Sequence, residues 1–156
     1  MKPASSEGAI RIQTILGDRF QVLEFDESTH SSAEAARAIG CDVAQIAKSM
    51  LFKAADGQPV LVVASGANRV DEKKVTALLG QKIKRADPNF VLASTGTAVG
   101  GVSPVGHTTR PLTVLDRDLR RFDMIWAAAG SPNAVFALTP HDLIQLTGAD
   151  FADIAK

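Results

Sequence analysis

The sequence predicts a single α+β domain in which a mixed, largely antiparallel β-sheet curls toward a barrel and is covered by helices. Two patterns carry that expectation. Neighbouring apolar, β-branched runs are joined as hairpins, and capped helical segments are inserted between the other runs. The chain's 156 residues, 46% of them hydrophobic and 22% charged, suffice to bury one sizeable core without disulfides or metal. Residues 1–156 therefore read as one domain, with no internal repeat, linker or low-complexity segment.

Taken in order, Ile10, Ile12, Ile15 and Leu16 fall at helical spacing before Gly17, which predicts a short first helix capped near Ser5 or Ser6. Phe20 to Phe25 alternates as a strand. Ser31-Ser32-Ala33-Glu34 caps an alanine-rich helix through Ile39, which Gly40 terminates. Ile46 to Lys53 and Pro59 to Ala64 form a hairpin about Ala55-Asp56-Gly57, and the second strand, almost wholly apolar, is expected at the centre. A helix follows Asn68-Arg69-Val70-Asp71 and ends at Leu79-Gly80, with Val75, Leu78 and Leu79 as its inner face. Lys82 to Arg85 reads as a short strand, and Asp87-Pro88 opens a helix to about Ala93. Strands are expected at Pro111 to Leu115, Met124 to Ala129 and Val135 to Leu138, then a helix from Pro140-His141-Asp142 to Gly148.

Several function classes are disfavoured by composition. A single cysteine, Cys41, and three scattered histidines, His30, His107 and His141, give neither a disulfide nor metal-ligand spacing, so no metal is expected. A formal net charge of zero argues against coating nucleic acid through bulk charge, although a local basic rim of Lys73, Lys74, Lys82, Lys84 and Arg85 stays open. No run has transmembrane length, and the polar stretch from Met1 to Arg11 lacks a secretory pattern, so a cytoplasmic location without membrane contact is expected. The carboxylates Asp71, Asp116, Asp118 and Asp123 announce no acid–base pair, and Ser103 lacks the G-x-S-x-G elbow of hydrolases.

Three segments carry chemistry. Gly100-Gly101-Val102-Ser103-Pro104-Val105-Gly106 can bring main-chain amides close to a carbonyl or phosphate oxygen, with Pro104 stiffening the far end. An ordinary surface turn would look the same. It is neither a P-loop, since no Gly-Lys-Ser/Thr follows, nor a G-x-G-x-x-G fingerprint. Lys48 shares a strand face with Met50 and Phe52, so its ammonium either snorkels to an edge or faces a cavity that needs a cation. Ala127-Ala128-Ala129-Gly130-Ser131-Pro132-Asn133 is a run of small residues entering a turn, which either packs closely against a neighbour or leaves a small pocket.

Ile46-Ala47-Lys48-Ser49, Ala64 to Asp71 with Lys74, Arg85-Ala86-Asp87-Pro88, Ser94-Thr95-Gly96 through Gly106, Ala129-Gly130-Ser131 and Phe151-Ala152-Asp153-Ile154-Ala155 occur in one order over nearly the whole chain from Ser32. Together they resemble the YbaK/ProX (YbaK/EbsC) family of aminoacyl-tRNA deacylases, which also occurs as the editing insertion of bacterial prolyl-tRNA synthetases. The resemblance implies a barrel-like α/β fold and hydrolysis of a small mischarged amino acid (Cys, Ala, Ser or Thr) from tRNA, most often tRNA(Pro). It implies catalytic roles for Lys48, Gly100 and Gly101, and substrate contacts by Met50, Val102, Ser103, Pro104, Ala129, Gly130 and Ser131. Lys48 would meet the terminal adenosine's phosphate or the acyl end, and the G-x-x-x-P loop from Gly100 to Pro104 would hold the acyl carbonyl and ribose. No cofactor, metal or protein nucleophile is implied. The partners implied are the 3′ acceptor end of aminoacyl-tRNA and prolyl-tRNA synthetase. A non-catalytic module that binds tRNA ends or a synthetase is the alternative.

Overall fold

Every helix starts on a side-chain cap, which is why the sequence places them well. Ser6, Ser31, Asp71, Asp87 and Thr139 accept amides at the first turns of α1 (Glu7–Leu16), α2 (Ser32–Ile39), α3 (Glu72–Leu79), α4 (Pro88–Thr95) and α5 (Pro140–Thr147). In the computed structural model, which describes residues 1–156, α2 to α5 all stop at a left-handed glycine.

The strands are β1 (Lys2–Pro3), β2 (Val22–Glu24), β3 (Ile46–Ala54), β4 (Pro59–Ser65), β5 (Ile83–Arg85), β6 (Leu112–Asp116), β7 (Ile125–Ala128), β8 (Ala134–Leu138) and β9 (Phe151–Ala152). They form one mixed sheet in the order β1-β2-β8-β7-β3-β4-β6-β9, with β5 attached separately to β3. Five pairings are antiparallel; β3 with β7, β4 with β6 and β6 with β9 are parallel. The sheet is not closed: it runs from β1 at one end to β9 at the other. Every residue of β4 is buried, as its unbroken apolar run predicts for a strand covered on both faces.

Alternation along β3 and β4 separates two packing layers. Ala47, Leu51, Leu61 and Val63 join the larger core with α1, α4 and β8, where Phe20 meets Phe136 edge-on at 5.8 Å. Phe52, Val60 and Val62 face Val75 of α3 and Ile154, while Ile46 packs under Ala35 and Ala36 of α2.

Several boundaries differ from expectation. Leu78 is not part of the inner face of α3: it is 54% exposed, and Val75 with the partly buried Leu79 makes the contact instead. The strand expected over Phe20 to Phe25 contracts to β2, because both phenylalanines turn into the core from flanking backbone. Helix α4 runs two residues past Ala93 to reach its glycine cap. The two-residue strands β1 and β9 are too short to show any period of two.

Candidate active site

The site forms where β3 lacks a neighbour. On one edge β3 pairs with β4 from Ala47 to Lys53. Its other edge is shared: β7 takes only Ile46 and Ala47, and β5 takes only Phe52, Lys53 and Ala54. Between them the segment around Lys48, Ser49 and Met50 has no strand beside it, and a cleft of about 470 Å³ opens through the sheet there. That volume suits a small ligand.

Helical cover is interrupted at the same place. Ile46, Lys48, Met50 and Phe52 share a face; α2 covers Ile46 and α3 covers Phe52. Lys48 lies between the two covers and is exposed, with Met50 half-buried beside it. None of the three ion pairs, Arg19–Asp142, Lys74–Asp153 and Arg117–Asp153, involves Lys48, so its ammonium is free to meet an anion at the cleft.

The glycine loop supplies the opposite wall through Val99, Gly100 and Val102. Gly100 has φ of +100°, a conformation costly for other residues. The Gly101 amide turns inward to donate to the Ala98 carbonyl at 3.2 Å, and the Gly101 carbonyl accepts from the Gly130 amide at 2.9 Å. The amides of Gly100 and Val102 take no part in the backbone hydrogen bonds. Behind the wall, Ser103 is 2% exposed; its carbonyl meets His107 Nε2 at 2.7 Å and its hydroxyl accepts the Val105 amide at 3.3 Å. Arg11 of α1 donates to the Gly106 carbonyl, tying the far end of the loop to the helix. Burial lowers the His107 pKa below the usual imidazole range, and the Arg11 charge adds to this against the opposing bond to Ser103. Neutral His107 therefore donates from Nε2, leaving a buried, unpaired Nδ1.

The Ala129-Gly130-Ser131 run faces the glycine loop, but as a packing joint. A Cβ on Gly101 would lie 2.8 Å from the Ser131 amide nitrogen and Cα, and one on Gly8 of α1 would overlap the Gly130 carbonyl. Ala129 is fully buried, and the Ser131 hydroxyl donates to Asn133 Oδ1 at 2.7 Å. Of the residues singled out from sequence, Lys48, Met50, Gly100 and Val102 line the cleft; Gly101, Ser103, Pro104, Ala129, Gly130 and Ser131 do not.

Ser49 was not singled out. It lines the cleft, and its Oγ is buried with no hydrogen-bond partner in the protein, so it is available to a ligand. A serine inside a strand gives no such signal in sequence. Arg85, Trp126 and the Thr29–Ser32 lip complete the opening, and they are brought there only by the topology. No group of three or more His, Cys, Asp or Glu side chains is placed to hold a metal ion.

The model of the aminoacyl-tRNA editing domain matches residues 26–146, which contain the whole cleft. The chain belongs to the aminoacyl-tRNA editing domain family. The chain is 38% identical to the uncharacterized protein YwhH of Bacillus subtilis over 126 residues, 81% of this chain and 80% of that one. It is 29% identical over 127 residues, 80% of this chain and 77% of its relative, to EbsC of Enterococcus faecalis, provisionally named a Cys-tRNA(Pro)/Cys-tRNA(Cys) deacylase. A solved structure described provisionally as a trans-editing enzyme for prolyl-tRNA synthetase superposes with a TM-score of 0.93 at 42% identity, covering 98% of this chain and 99% of its own. The fold shared with that structure extends beyond residues 26–146.

Proposed function

We propose that the protein is a trans-editing aminoacyl-tRNA deacylase, which hydrolyses the ester of a small mischarged amino acid (Cys, Ala, Ser or Thr) on tRNA, with tRNA(Pro) as the carrier. The observation that carries the reading is that Lys48, Gly100 and Val102 line one cleft at the break beside β3. In this reading the cleft takes the acylated 3′ end of the tRNA.

In this reading the Lys48 ammonium meets the terminal phosphate or the acyl end. Water attacks the ester carbonyl, and the amides of Gly100 and Val102, which donate to no backbone carbonyl, are the donors assigned here to the oxygen that becomes negative. The tetrahedral intermediate collapses to release the free amino acid and regenerate the ribose hydroxyl, which takes up a proton from the attacking water. Positioning carries most of the acceleration, and the side chains supply no nucleophile. Gly101, Ala129, Gly130 and Ser131 serve by fixing the loop, and Ser103 and Pro104 by holding its far end. The buried Ser49 hydroxyl offers one polar contact to the bound substrate. Prolyl-tRNA synthetase is a further partner in this reading, supported by the description of the structural relative.

Deacylation of a panel of cysteinyl-, alanyl-, seryl- and threonyl-tRNA(Pro) tests this. Turnover of at least one, reduced about a hundredfold or more in Lys48→Ala, is expected. Binding of the tRNA without hydrolysis of any member would establish the non-catalytic module instead.

A further inference from the structure

Beside the cleft, the end of β3 and the strand β5 carry cations that no ion pair absorbs. Lys53 stands directly opposite Lys84 in the antiparallel register, and Arg85 opposite Phe52. Lys82, one step before β5, is exposed like Lys84 and Arg85. The three ion pairs of the protein include none of these residues. Two carboxylates are nearby in the chain, and both are engaged: Asp56 accepts from Gln58 and Gln81, and Asp87 caps α4.

Lysines on an edge strand can serve only to discourage sheet-to-sheet pairing. Two features exceed that role. Like charges directly opposite across a strand pair are destabilising, and Lys53 is offset only by its place 5.1 Å over the Phe90 ring. These cations flank the β5 edge on both faces: Lys53 and Lys84 point to one side, while Arg85, on the other, lines the cleft opposite Phe52, four residues along β3 from Lys48. At about 3.3 Å per residue the separation is roughly 13 Å, the scale of a few phosphates of a nucleic-acid strand. In a chain of formal net charge zero, such a cluster concentrates positive potential at one mouth of the site.

We propose that Lys53, Lys82, Lys84 and Arg85 form a docking track for the sugar–phosphate backbone of the tRNA arm whose 3′ end enters the cleft. The proposal rests on the aminoacyl-tRNA reading above and deepens it. An RNA backbone matches the pattern because it presents regularly spaced negative charge that needs no neutral rim and relieves the Lys53–Lys84 repulsion.

The test uses uncharged tRNA(Pro), so it reads binding and not turnover. Binding is titrated against salt for the wild type, Lys82→Glu/Lys84→Glu, the milder Lys82→Gln/Lys84→Gln, and Lys2→Glu on β1 at the far end of the sheet. The expected result is affinity about tenfold or more weaker in the charge-reversed variant, an intermediate loss in the glutamine variant, and a shallower salt slope by roughly 2 in each. Lys2→Glu should bind as the wild type does. Wild-type affinity and slope in both double variants would overturn the track, as would an equal loss in Lys2→Glu or equal competition by polyglutamate. Failure of the deacylation panel with these binding effects intact would refute the catalytic reading and leave the track standing.

Discussion

Gly101→Ala separates the loop's role in positioning from its role in stability. A Cβ at this position would come within 2.8 Å of the Ser131 nitrogen and Cα and 2.9 Å of the Gly130 carbonyl carbon, all backbone atoms that cannot rotate away. Relief requires the loop to move from the Ala129–Ser131 segment, stretching the 2.9 Å bond from the Gly130 amide to the Gly101 carbonyl. Overpacking of this kind costs about 1–3 kcal/mol, and a weakened hydrogen bond adds about 1. For a chain of this size a total near ~3 kcal/mol lowers Tm by about 6–12 °C. Because the displaced residues carry the neighbouring amides of Gly100 and Val102, turnover on mischarged tRNA should fall about a hundredfold at temperatures where the variant is fully folded. Thermal unfolding by circular dichroism and single-turnover deacylation measure the two effects. Wild-type Tm together with wild-type turnover would refute the claim that this glycine junction sets the loop.

Two further outcomes concern protonation. His107 has a folded-state pKa below that of the unfolded chain, chiefly through burial, so its contribution is complete above about pH 6.5 and is lost as pH falls through the folded value. Stability should therefore decline from pH 7 toward 5, and His107→Gln should flatten that decline in urea melts. Glu24 is 2% exposed and accepts from the amides and hydroxyls of Ser5 and Ser6; these bonds outweigh its desolvation and lower its pKa to about 2. Its contribution is present above about pH 4.5 and is lost as pH falls toward 2, and Glu24→Gln should cost about 1–2 kcal/mol at pH 7 and make the acid limb shallower.

Helix positions were legible because they are encoded locally. Ser31, Asp87 and Gly40 set chain direction through bonds to residues three or four away, and a reader of the sequence can count those intervals. The exposure of Leu78 was not legible, since Val75 with Leu79 seats α3 once Phe52 and Ile154 lie beneath it. Nor were β1 and β9, whose pairing with β2 and β6 is specified by partners rather than by their own two residues.

The site divides in the same way. Sequence alone determined the glycine-rich character of Gly100–Gly106, the unusual lysine at position 48 in an apolar strand, and, through motif order, the family. The tertiary structure decided which of those residues meet, because β7 and β5 each cover only one end of β3 and leave Lys48, Ser49 and Met50 at a gap. It also decided that Ala129-Gly130-Ser131 abuts the back of the loop and that the free Ser49 hydroxyl faces no protein partner. Strand pairing and close backbone packing join residues distant in the chain, and no local pattern records such a junction.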